Sequence, residues 1–379
     1  MSVIYLDYNA TTPVAPEVLE EMLPYLRDRF GNPSSSHAYG QEARKAVEVA
    51  RERVAGLLGC APGEVIFTSG GSEANNLALK GVALANRHRG NHIITSSIEH
   101  PSVARVCHYL ESLGFQVTYL PVDRYGMVDP EAVRQAITAS TILISVMHAN
   151  NEVGTIQPLA AIGEIAREHG VWFHTDAAQS VGKIPTRVDD LRVDLLTVAG
   201  HKLYAPKGVG ALYLRRGTNI QPLIHGADHE QGRRAGTENV AGIVGLGKAC
   251  ELARERLPES VPAMIELRDY FFALLNQGAG VSLNGHPTER LPNTLNVSFA
   301  GVSGSRLLES TPEVAVSTGS ACHSGEERMS PVLAAMGVEA ERGYGAVRLS
   351  LGRWTTRLEV EEAARLLARQ AAQLREQQL

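Results

Sequence analysis

Short apolar segments alternate with amphipathic helical segments over much of this 379-residue chain. The first strong helical pattern spans residues 40–58, where Ala43, Val47 and Val54 recur on one face. Apolar strand patterns and helical patterns then follow one another as far as residue 214. This alternation is typical of a mostly parallel sheet covered by helices on both faces. The sequence therefore predicts an α/β fold.

A chain of this length usually forms two domains. After about residue 256 the alternation gives way to a loop-rich segment, further strands and a C-terminal helix in which Val360, Leu367 and Leu374 share one face. We expect a large domain with a mostly parallel sheet between helices over residues 15–256. Residues 1–14 and 257–379 are expected to form a smaller α+β domain.

Composition excludes several classes of function. The formal net charge is −5 and the chain has no long Lys/Arg run, so neither direct nucleic-acid binding nor membrane binding is expected. The N-terminal residues do not form a signal peptide, and no stretch of eighteen apolar residues predicts a membrane span. Four widely spaced cysteines predict neither a disulfide framework nor a metal site. We expect a cytoplasmic enzyme.

Polar side chains follow the ends of successive predicted strands. Ligands of parallel sheets bind at the carboxyl ends of the strands, so these residues are expected at one rim. Each of them alone is more simply a helix cap or a surface charge. Together they predict a site, and they are His100, Asn151, Asp176, Gln179, His201 and Lys202.

A glycine-rich turn, residues 69–73, connects one predicted strand to the next helix. Gly71 would let backbone N–H groups approach a ligand, and Ser72 could cap the helix or bind a phosphate. Such turns are common, so this motif alone is weak. An anion-binding helix start, an acid, a histidine and a lysine on one rim suit pyridoxal phosphate, in which Lys202 would form the Schiff base and Asp176 would pair with the ring nitrogen. A charged His201 is expected to help keep Lys202 neutral.

Cys322 lies in STGSACHSGEE (317–327), a segment too rich in Gly and Ser for a helix interior or a central strand. The composition predicts a mobile, exposed loop. A lone cysteine is more often buried and inert, and Cys60, Cys107 and Cys250 are assigned to that class because they lie in or next to helical patterns.

The ordered motifs of the chain resemble those of cysteine desulfurases of the NifS/IscS type, in the class V aminotransferase group of fold-type I pyridoxal phosphate enzymes. The resemblance runs nearly end to end. The motifs that carry it are YLDYNATTPV, GNPSSSH, FTSGGSEANN, IEHPSV, MHANNEVGTIQP, HTDAAQS, GHKLYAPKGVGALY, GRRAGTEN, STGSACHS and VRLSLGRWTT.

The resemblance implies a fold-type I pyridoxal phosphate-dependent transferase that removes sulfur from L-cysteine, releases alanine and holds the sulfur as a persulfide on Cys322. It implies catalytic roles for Lys202, His100 and Cys322. Substrate binding falls to Asn151 and Arg348, the latter through a bidentate contact with the carboxylate. The implied cofactor ligands are Gly71, Ser72, His100, Asp176, Gln179, His201, Lys202 and Thr237. Thr237 is expected to reach the phosphate of the neighbouring subunit, which implies a homodimer.

Two departures from the family pattern bear on cofactor and partner. Many relatives have serine where this chain has Ala199, so one hydroxyl contact to the phosphate is missing and somewhat weaker cofactor binding is expected. Only 31 residues follow Arg348 (379 − 348). Housekeeping desulfurases use a longer tail to dock an iron–sulfur scaffold, so that partner is in doubt.

Three alternatives stay open at this point. A selenocysteine lyase would share most of these motifs and release selenium without an obligatory enzyme persulfide. Desulfurases of iron–sulfur assembly for nitrogenase, of tRNA thiolation and of DNA phosphorothioation differ in the acceptor and not in the chemistry. An inactive cofactor-binding scaffold of a sulfur pathway is the third, and a turnover assay would distinguish it.

Overall fold

The computed structural model describes residues 3–278, 280–318 and 329–377. The strands, in chain order, are β1 (Ile4–Tyr5), β2 (Val65–Thr68), β3 (His92–Ser96), β4 (Gln116–Leu120), β5 (Thr141–Ser145), β6 (Trp172–Asp176), β7 (Leu195–Ala199), β8 (Gly210–Leu214), β9 (Val281–Asn284), β10 (Thr294–Phe299), β11 (Val314–Ala315) and β12 (Ala346–Ser350). The helices are α1 (Pro16–Arg27), α2 (Ala38–Leu58), α3 (Gly71–Ala85), α4 (Pro101–Ser112), α5 (Pro130–Ala136), α6 (Leu159–Glu168), α7 (Val188–Leu191), α8 (Val240–Asn276), α9 (Gly304–Glu309), α10 (Pro331–Ala335), α11 (Ala340–Tyr344) and α12 (Arg357–Glu376).

The largest sheet has the strand order β2-β8-β7-β6-β5-β3-β4. The pairs from β7 through β4 are all parallel, while β8 runs antiparallel to both β7 and β2. Strands β5 and β7 are buried along their whole length, because helices cover both faces of the sheet. The predicted mostly parallel α/β sheet is therefore confirmed, and its parallel strands end at one edge.

A second core surrounds the antiparallel sheet β12-β10-β9. Phe271 from the end of α8, Val297, Leu349 and Leu367 are fully buried in it. Leu6 belongs to the same core, and the neighbouring strand β1 pairs in parallel with β11. Residues from both ends of the chain therefore pack together.

Helix α8 was not among the sequence-based predictions. It runs across the predicted domain boundary between residues 256 and 257, so that division stays a prediction. Its first half is buried on nearly all sides and shows no polar stripe, and this removes the periodic signal of a helix. Gly245 and Gly247 let α8 approach α1 and α2, because a Cβ there would lie 2.6 Å from Met22 Sδ and from Ala50 Cα, respectively.

Among the described helices, none is long and apolar enough to cross a membrane. Three of the four cysteines lie in the described part of the chain, and all three are free. Burial raises the pKa of Cys60, Cys107 and Cys250 to about 12, so these thiols stay protonated and unreactive near neutral pH. Cys322 lies outside the described residues.

Candidate active site

A cavity of about 600 Å³ opens at the carboxyl edge of the parallel strands. It collects all six residues predicted from strand ends. Those that line it are Gly71, Ser72, His100, Asn151, Asp176, Gln179, His201, Lys202 and Arg348. The residue that departs from the family pattern, Ala199, lines it as well. The expectation that these side chains share one rim is therefore confirmed, while their chemical roles stay predictions.

The N-terminus of α3 forms one end of the cavity. Gly70, just before the helix, has φ 146° and ψ −178°, a conformation that only glycine adopts without strain. The N-cap residue, Gly70, has no side chain to cap this helix, so the first N–H groups, at Gly71 and Ser72, are placed to bind a ligand in the cavity. Glu73 stabilises the turn by accepting a hydrogen bond from the Ser69 N–H at 2.9 Å.

Asp176 ends β6 and is nearly buried. Its Oδ1 accepts a hydrogen bond from the Ala178 N–H at 2.9 Å, and its Oδ2 accepts one from Asn75 Nδ2 at 2.7 Å. Each carboxylate oxygen keeps further acceptor capacity. The carboxylate is thus held rigidly, and it can still accept a hydrogen bond from a protonated nitrogen of a ligand.

Lys202 follows β7 in a short 3₁₀ turn, Gly200–Lys202. Its Nζ donates to the backbone carbonyl of Asn9 and, at 2.7 Å, to that of Ala10. Burial lowers the pKa of Lys202 to about 8, and the positive charge of Arg348 adds to this shift. At a pH one unit below this pKa about a tenth of the amine is unprotonated, far more than for an exposed lysine, as a nucleophilic or basic lysine requires.

The expectation that a charged His201 helps to neutralise Lys202 is wrong. Burial lowers the pKa of His201 to about 4, so its ring is neutral at neutral pH. The ring Nδ1 lies 3.2 Å from Thr11 Oγ1. His201 therefore offers a hydrogen-bonding group to the cavity and no positive charge.

Arg348 and Asn151 lie at another wall of the cavity. Arg348, on β12, is 5% exposed, and its Nη1 donates to the backbone carbonyl of Asn151 at 3.1 Å. Its Nη2 donates to Asp7 Oδ1 at 2.6 Å. Its Nε is buried and has no hydrogen-bond partner among the described atoms. A guanidinium with an unused buried donor is suited to binding a carboxylate.

Gln179 and Lys183 connect the cavity to the N-terminal segment. Gln179 Nε2 donates to the Asn9 carbonyl at 3.0 Å, and its Oε1 accepts from Lys183 Nζ at 2.9 Å. Lys183 Nζ also donates to Asn9 Oδ1 at 3.1 Å. Because the Asn9 carbonyl can only accept, it determines which end of the Gln179 amide bears the nitrogen.

One predicted site residue lies elsewhere in the described part of the chain. Thr237 lines a separate cavity of about 640 Å³ together with Ser34, His229 and Glu230. This placement keeps Thr237 away from the cavity of its own chain, and its expected role across a subunit interface stays a prediction. Cys322 lies outside the described residues.

Sequence analysis missed four polar residues that contribute to the site. They are Asn9, Asn75, Ser102 and Lys183. Asn75 lies in the FTSGGSEANN motif four residues beyond Gly71, so helical spacing could have indicated it. Ser102 lies in the IEHPSV motif two residues beyond His100, where a capping contact at the start of a helix could have indicated it. Asn9 and Lys183 follow no strand of the large sheet, and their position becomes evident only in three dimensions.

The residues of the cavity fit pyridoxal phosphate. The free N-terminus of α3 and the Ser72 hydroxyl can bind a phosphate, while the Asp176 carboxylate can pair with a protonated ring nitrogen. The partly neutral Lys202 amine can bond to an aldehyde. A Cβ at Gly71 would lie 3.2 Å from Ala199 Cβ, a tight contact, so glycine suits the close approach of α3 to β7.

Comparison with known proteins identifies the family. A family model described as aminotransferase class-V matches residues 4–363. The chain belongs to the aminotransferase class-V family. Membership in this family agrees with the donor set of the cavity.

Relatives within this class V aminotransferase family are similar over nearly the whole chain. Cysteine desulfurase IscS of Dictyoglomus turgidum is 52% identical, over 98% of this chain and 95% of that protein. A solved structure of a NifS-like protein has 41% identity and a TM-score of 0.91, covering 98% of this chain and 99% of that one. The structure of SspA in complex with cysteine has 41% identity and a TM-score of 0.82, covering 93% and 99%. These relatives confirm the resemblance to cysteine desulfurases, the predicted fold and the predicted cofactor.

Proposed function

We propose that this enzyme removes sulfur from L-cysteine, releases L-alanine and carries the sulfur as a persulfide on Cys322 for transfer to an acceptor. The observation that carries the proposal is one cavity that joins the Lys202 amine, the Asp176 carboxylate and the α3 N-terminus to the buried guanidinium of Arg348. A cofactor site and a carboxylate site therefore adjoin. SspA, one of the similar structures, is in complex with cysteine, which supports an amino-acid substrate.

The cofactor would be held by Ser72 and the α3 N–H groups at its phosphate, by Asp176 at its ring nitrogen and by Lys202 at its aldehyde carbon. Gln179 is assigned to the ring hydroxyl and His100 to the ring face. When bound, pyridoxal phosphate supplies an electron sink that makes loss of the Cα proton accessible. Ala199 brings no hydroxyl to the phosphate, so water would fill that position.

Arg348 binds the substrate carboxylate in this proposal. Its unpaired Nε would donate one hydrogen bond to the carboxylate, and the second N–H of Nη2, whose first is directed to Asp7, would donate the other; burial strengthens these contacts. The Asn151 side chain lines the same wall and is assigned to the same carboxylate. Both contacts orient the Cα–H bond relative to Lys202.

Lys202 is the base for the Cα proton. The backbone carbonyls of Asn9 and Ala10 accept hydrogen bonds from its Nζ and would hold the free amine in place. Because burial and Arg348 lower its pKa to about 8, Lys202 can accept a proton near neutral pH and return it later.

Cys322 accepts the sulfur. Its thiolate attacks the substrate sulfur, an S–S bond forms, and the Cβ–S bond breaks with its electron pair staying on carbon. That carbon takes up a proton and becomes the methyl group of alanine. The described residues on either side of residues 319–328 support this role. Ser317 pairs with Arg348 through the backbone, and Ser330 Oγ donates to Glu152. Both flanks therefore lie near the substrate-binding wall.

Two copies of the chain are proposed to form a homodimer in which Thr237 reaches the partner's phosphate site. Large apolar side chains exposed in or next to α1 and α2 support an interface there, with Leu26 61%, Phe30 71% and Tyr39 54% exposed.

A mixture of Lys202→Ala and Thr237→Ala chains tests the shared site. Mixed dimers should regain activity, because they contain one site with both residues. A mixture no more active than the separate variants would contradict the shared site.

The sulfur acceptor is assigned by class only, as a protein of iron–sulfur cluster assembly, tRNA thiolation or DNA phosphorothioation. We infer a cytoplasmic location, where such acceptors act. The IscS name of similar proteins supports iron–sulfur assembly among these three.

The deciding experiment measures alanine release from L-cysteine in the presence of a thiol, for the wild type, for Cys322→Ala and for Cys60→Ala. Cys60 is the matched control, since its thiol is partly exposed but its pKa is about 12. Turnover by the wild type and Cys60→Ala, but not by Cys322→Ala, supports the proposal. Alanine release from selenocysteine alone, undiminished in Cys322→Ala, would indicate a selenocysteine lyase. No turnover of either substrate by the wild type would indicate a scaffold.

A further inference from the structure

A chain of hydrogen bonds connects Asp176 to His100 through two residues that the mechanism above does not use. Asn75, on α3, is 1% exposed, and its Nδ2 lies 2.7 Å from Asp176 Oδ2 and 2.8 Å from Ser102 Oγ. Ser102 Oγ in turn lies 2.7 Å from His100 Nδ1. Asp176, which is assigned to the ring nitrogen of the cofactor, is therefore hydrogen-bonded through Asn75 and Ser102 to His100, which is assigned to the ring face.

The orientation of the Asn75 amide is determined by its neighbours. Its two N–H bonds have one acceptor each, Asp176 Oδ2 and Ser102 Oγ. Its Oδ1 is buried and has no partner among the described atoms. A rotated amide would place Oδ1 against the Asp176 carboxylate, which repels it. A buried oxygen without a partner is unfavourable, so the two contacts of Nδ2 must impose this orientation.

The same contacts fix the tautomer of His100. The backbone N–H of Ser102 donates to His100 Nδ1 at 3.1 Å, so Nδ1 has no proton in the neutral ring. Ser102 Oγ accepts from Asn75, and its own hydrogen is available to the same Nδ1. The proton of the neutral ring is therefore on Nε2, the nitrogen left for the cavity that His100 lines.

The charged groups around His100 act in opposite directions. Burial lowers the pKa of His100, the negative charge of Asp176 opposes this shift, and the positive charge of Lys202 reinforces it. The ring is therefore neutral near neutral pH. A neutral ring with its proton on Nε2 is a hydrogen-bond donor and not a base at that nitrogen.

We propose that Asn75 and Ser102 are positioning residues that hold His100 as a neutral donor, with its N–H directed to substrate or cofactor in the cavity. This inference rests on the proposed desulfurase function and specifies what His100 does there. With substrate bound, the neutral His100 stabilises negative charge, such as that on the substrate sulfur, while Lys202 accepts the Cα proton. Ser102 keeps Nδ1 from taking the proton that would convert the ring to a cation.

The test is ¹H–¹⁵N NMR of the holoenzyme with ¹⁵N-labelled histidine, in which His100→Gln assigns the His100 signals. The wild type should show the proton on Nε2. Ser102→Ala should raise the His100 titration midpoint by about 0.5–1 pH unit, since it removes one hydrogen bond to the neutral form. Ser102→Thr should restore the midpoint, and Ser97→Ala, a nearby exposed serine, should leave it unchanged.

The acidic limb of kcat/KM for L-cysteine should move in the same direction and by a similar amount in Ser102→Ala. Asn75→Leu should raise the His100 midpoint too, and Ser102→Ala still tests the proposal if Asn75→Leu does not fold. A proton on Nδ1 in the wild type, or an unchanged midpoint in Ser102→Ala, would overturn it. The NMR readout requires no turnover, so it stands or fails separately from the desulfurase assay.

Discussion

Arg348 donates a 2.6 Å hydrogen bond from Nη2 to Asp7 Oδ1, so the proposed substrate-binding arginine is already paired with a carboxylate of the chain. The Arg348 side chain is 6% exposed and that of Asp7 is 20% exposed. This contact occupies one nitrogen of the guanidinium and leaves Nε unpaired. Asp7 thereby orients the guanidinium, and its charge also repels an incoming substrate carboxylate.

Asp7→Asn should lower KM for L-cysteine about three- to tenfold. The amide oxygen still accepts from Arg348, while the negative charge that repels the substrate carboxylate is gone. Asp7→Ala is the matched variant, and it should raise KM because it also removes the acceptor that orients the guanidinium. Steady-state kinetics on both variants measure this. A KM that rises in Asp7→Asn as much as in Asp7→Ala would contradict the proposed repulsion, because it would show that the Asp7 charge favours substrate binding.

Lys202→Ala should abolish turnover and covalent attachment of the cofactor. Borohydride reduction followed by mass spectrometry of the intact chain should show one bound cofactor in the wild type and none in the variant. Lys207 is the matched control, because it lines the same cavity but is exposed, and Lys207→Ala should keep the cofactor. Turnover by Lys202→Ala would contradict the assignment of the cofactor lysine.

Lys183→Met should weaken cofactor binding about tenfold. It removes the two hydrogen bonds that fix the amides of Gln179 and Asn9, and with them the donor assigned to the cofactor ring hydroxyl. Titration of the apoprotein with pyridoxal phosphate, followed by visible absorbance, measures the change. Lys80 is the control, because its amine lies over the ring of Tyr109. Lys80→Met should bind the cofactor as tightly as the wild type does. Equal affinities for all three proteins would leave Lys183 without this role.

Glu99→Gln should change how stability depends on pH. Burial raises the pKa of Glu99 from 4.5 to about 8, helped by the negative charge of Asp176, so the folded chain holds one more proton than the unfolded chain between these values. The free energy of unfolding of the wild type therefore falls by about 1.4 kcal/mol per pH unit as pH rises through this window, as far as this one group is concerned.

Glutamine keeps an oxygen for the Ser96 hydroxyl and the Met147 N–H and has no proton to lose. Urea unfolding of the holoenzyme from pH 5 to pH 8 should therefore show a flatter profile for Glu99→Gln than for the wild type. Glu255→Gln, at an exposed position, should follow the wild-type profile. Parallel profiles for wild type and Glu99→Gln would mean that Glu99 is ionised in the folded chain.

The large sheet and most of the cavity were predictable because both follow from local patterns. Buried parallel strands are continuous apolar runs, and their carboxyl ends meet, so Asp176 and Lys202 could be placed together without coordinates. Helix α8 was not predictable in this way, since burial on nearly all sides and its glycines hide the helical period. Asn9 could not be assigned to the site either, because its contacts come from residues more than 140 positions away.

The neutral state of His201 illustrates a different limit. A histidine next to a lysine indicates a positive pair when only the sequence is considered. Burial decides the protonation state instead, because it lowers the pKa of His201 to about 4. Burial is a property of the folded chain. Spacing can therefore predict which groups meet, while the protonation state of each group depends on how deeply it is packed.

The hydrogen bond from the Asn9 N–H to Ser350 Oγ joins residues 341 positions apart. During synthesis, the segment whose carbonyls hold the Lys202 amine leaves the ribosome early but finds this partner only after β12 has been made. Contacts of such long separation form late and slowly in folding. A nascent chain would therefore have the phosphate-binding turn of α3 well before it has a fixed place for the lysine amine. Stable cofactor binding is consequently expected only once the whole chain has been synthesised and folded.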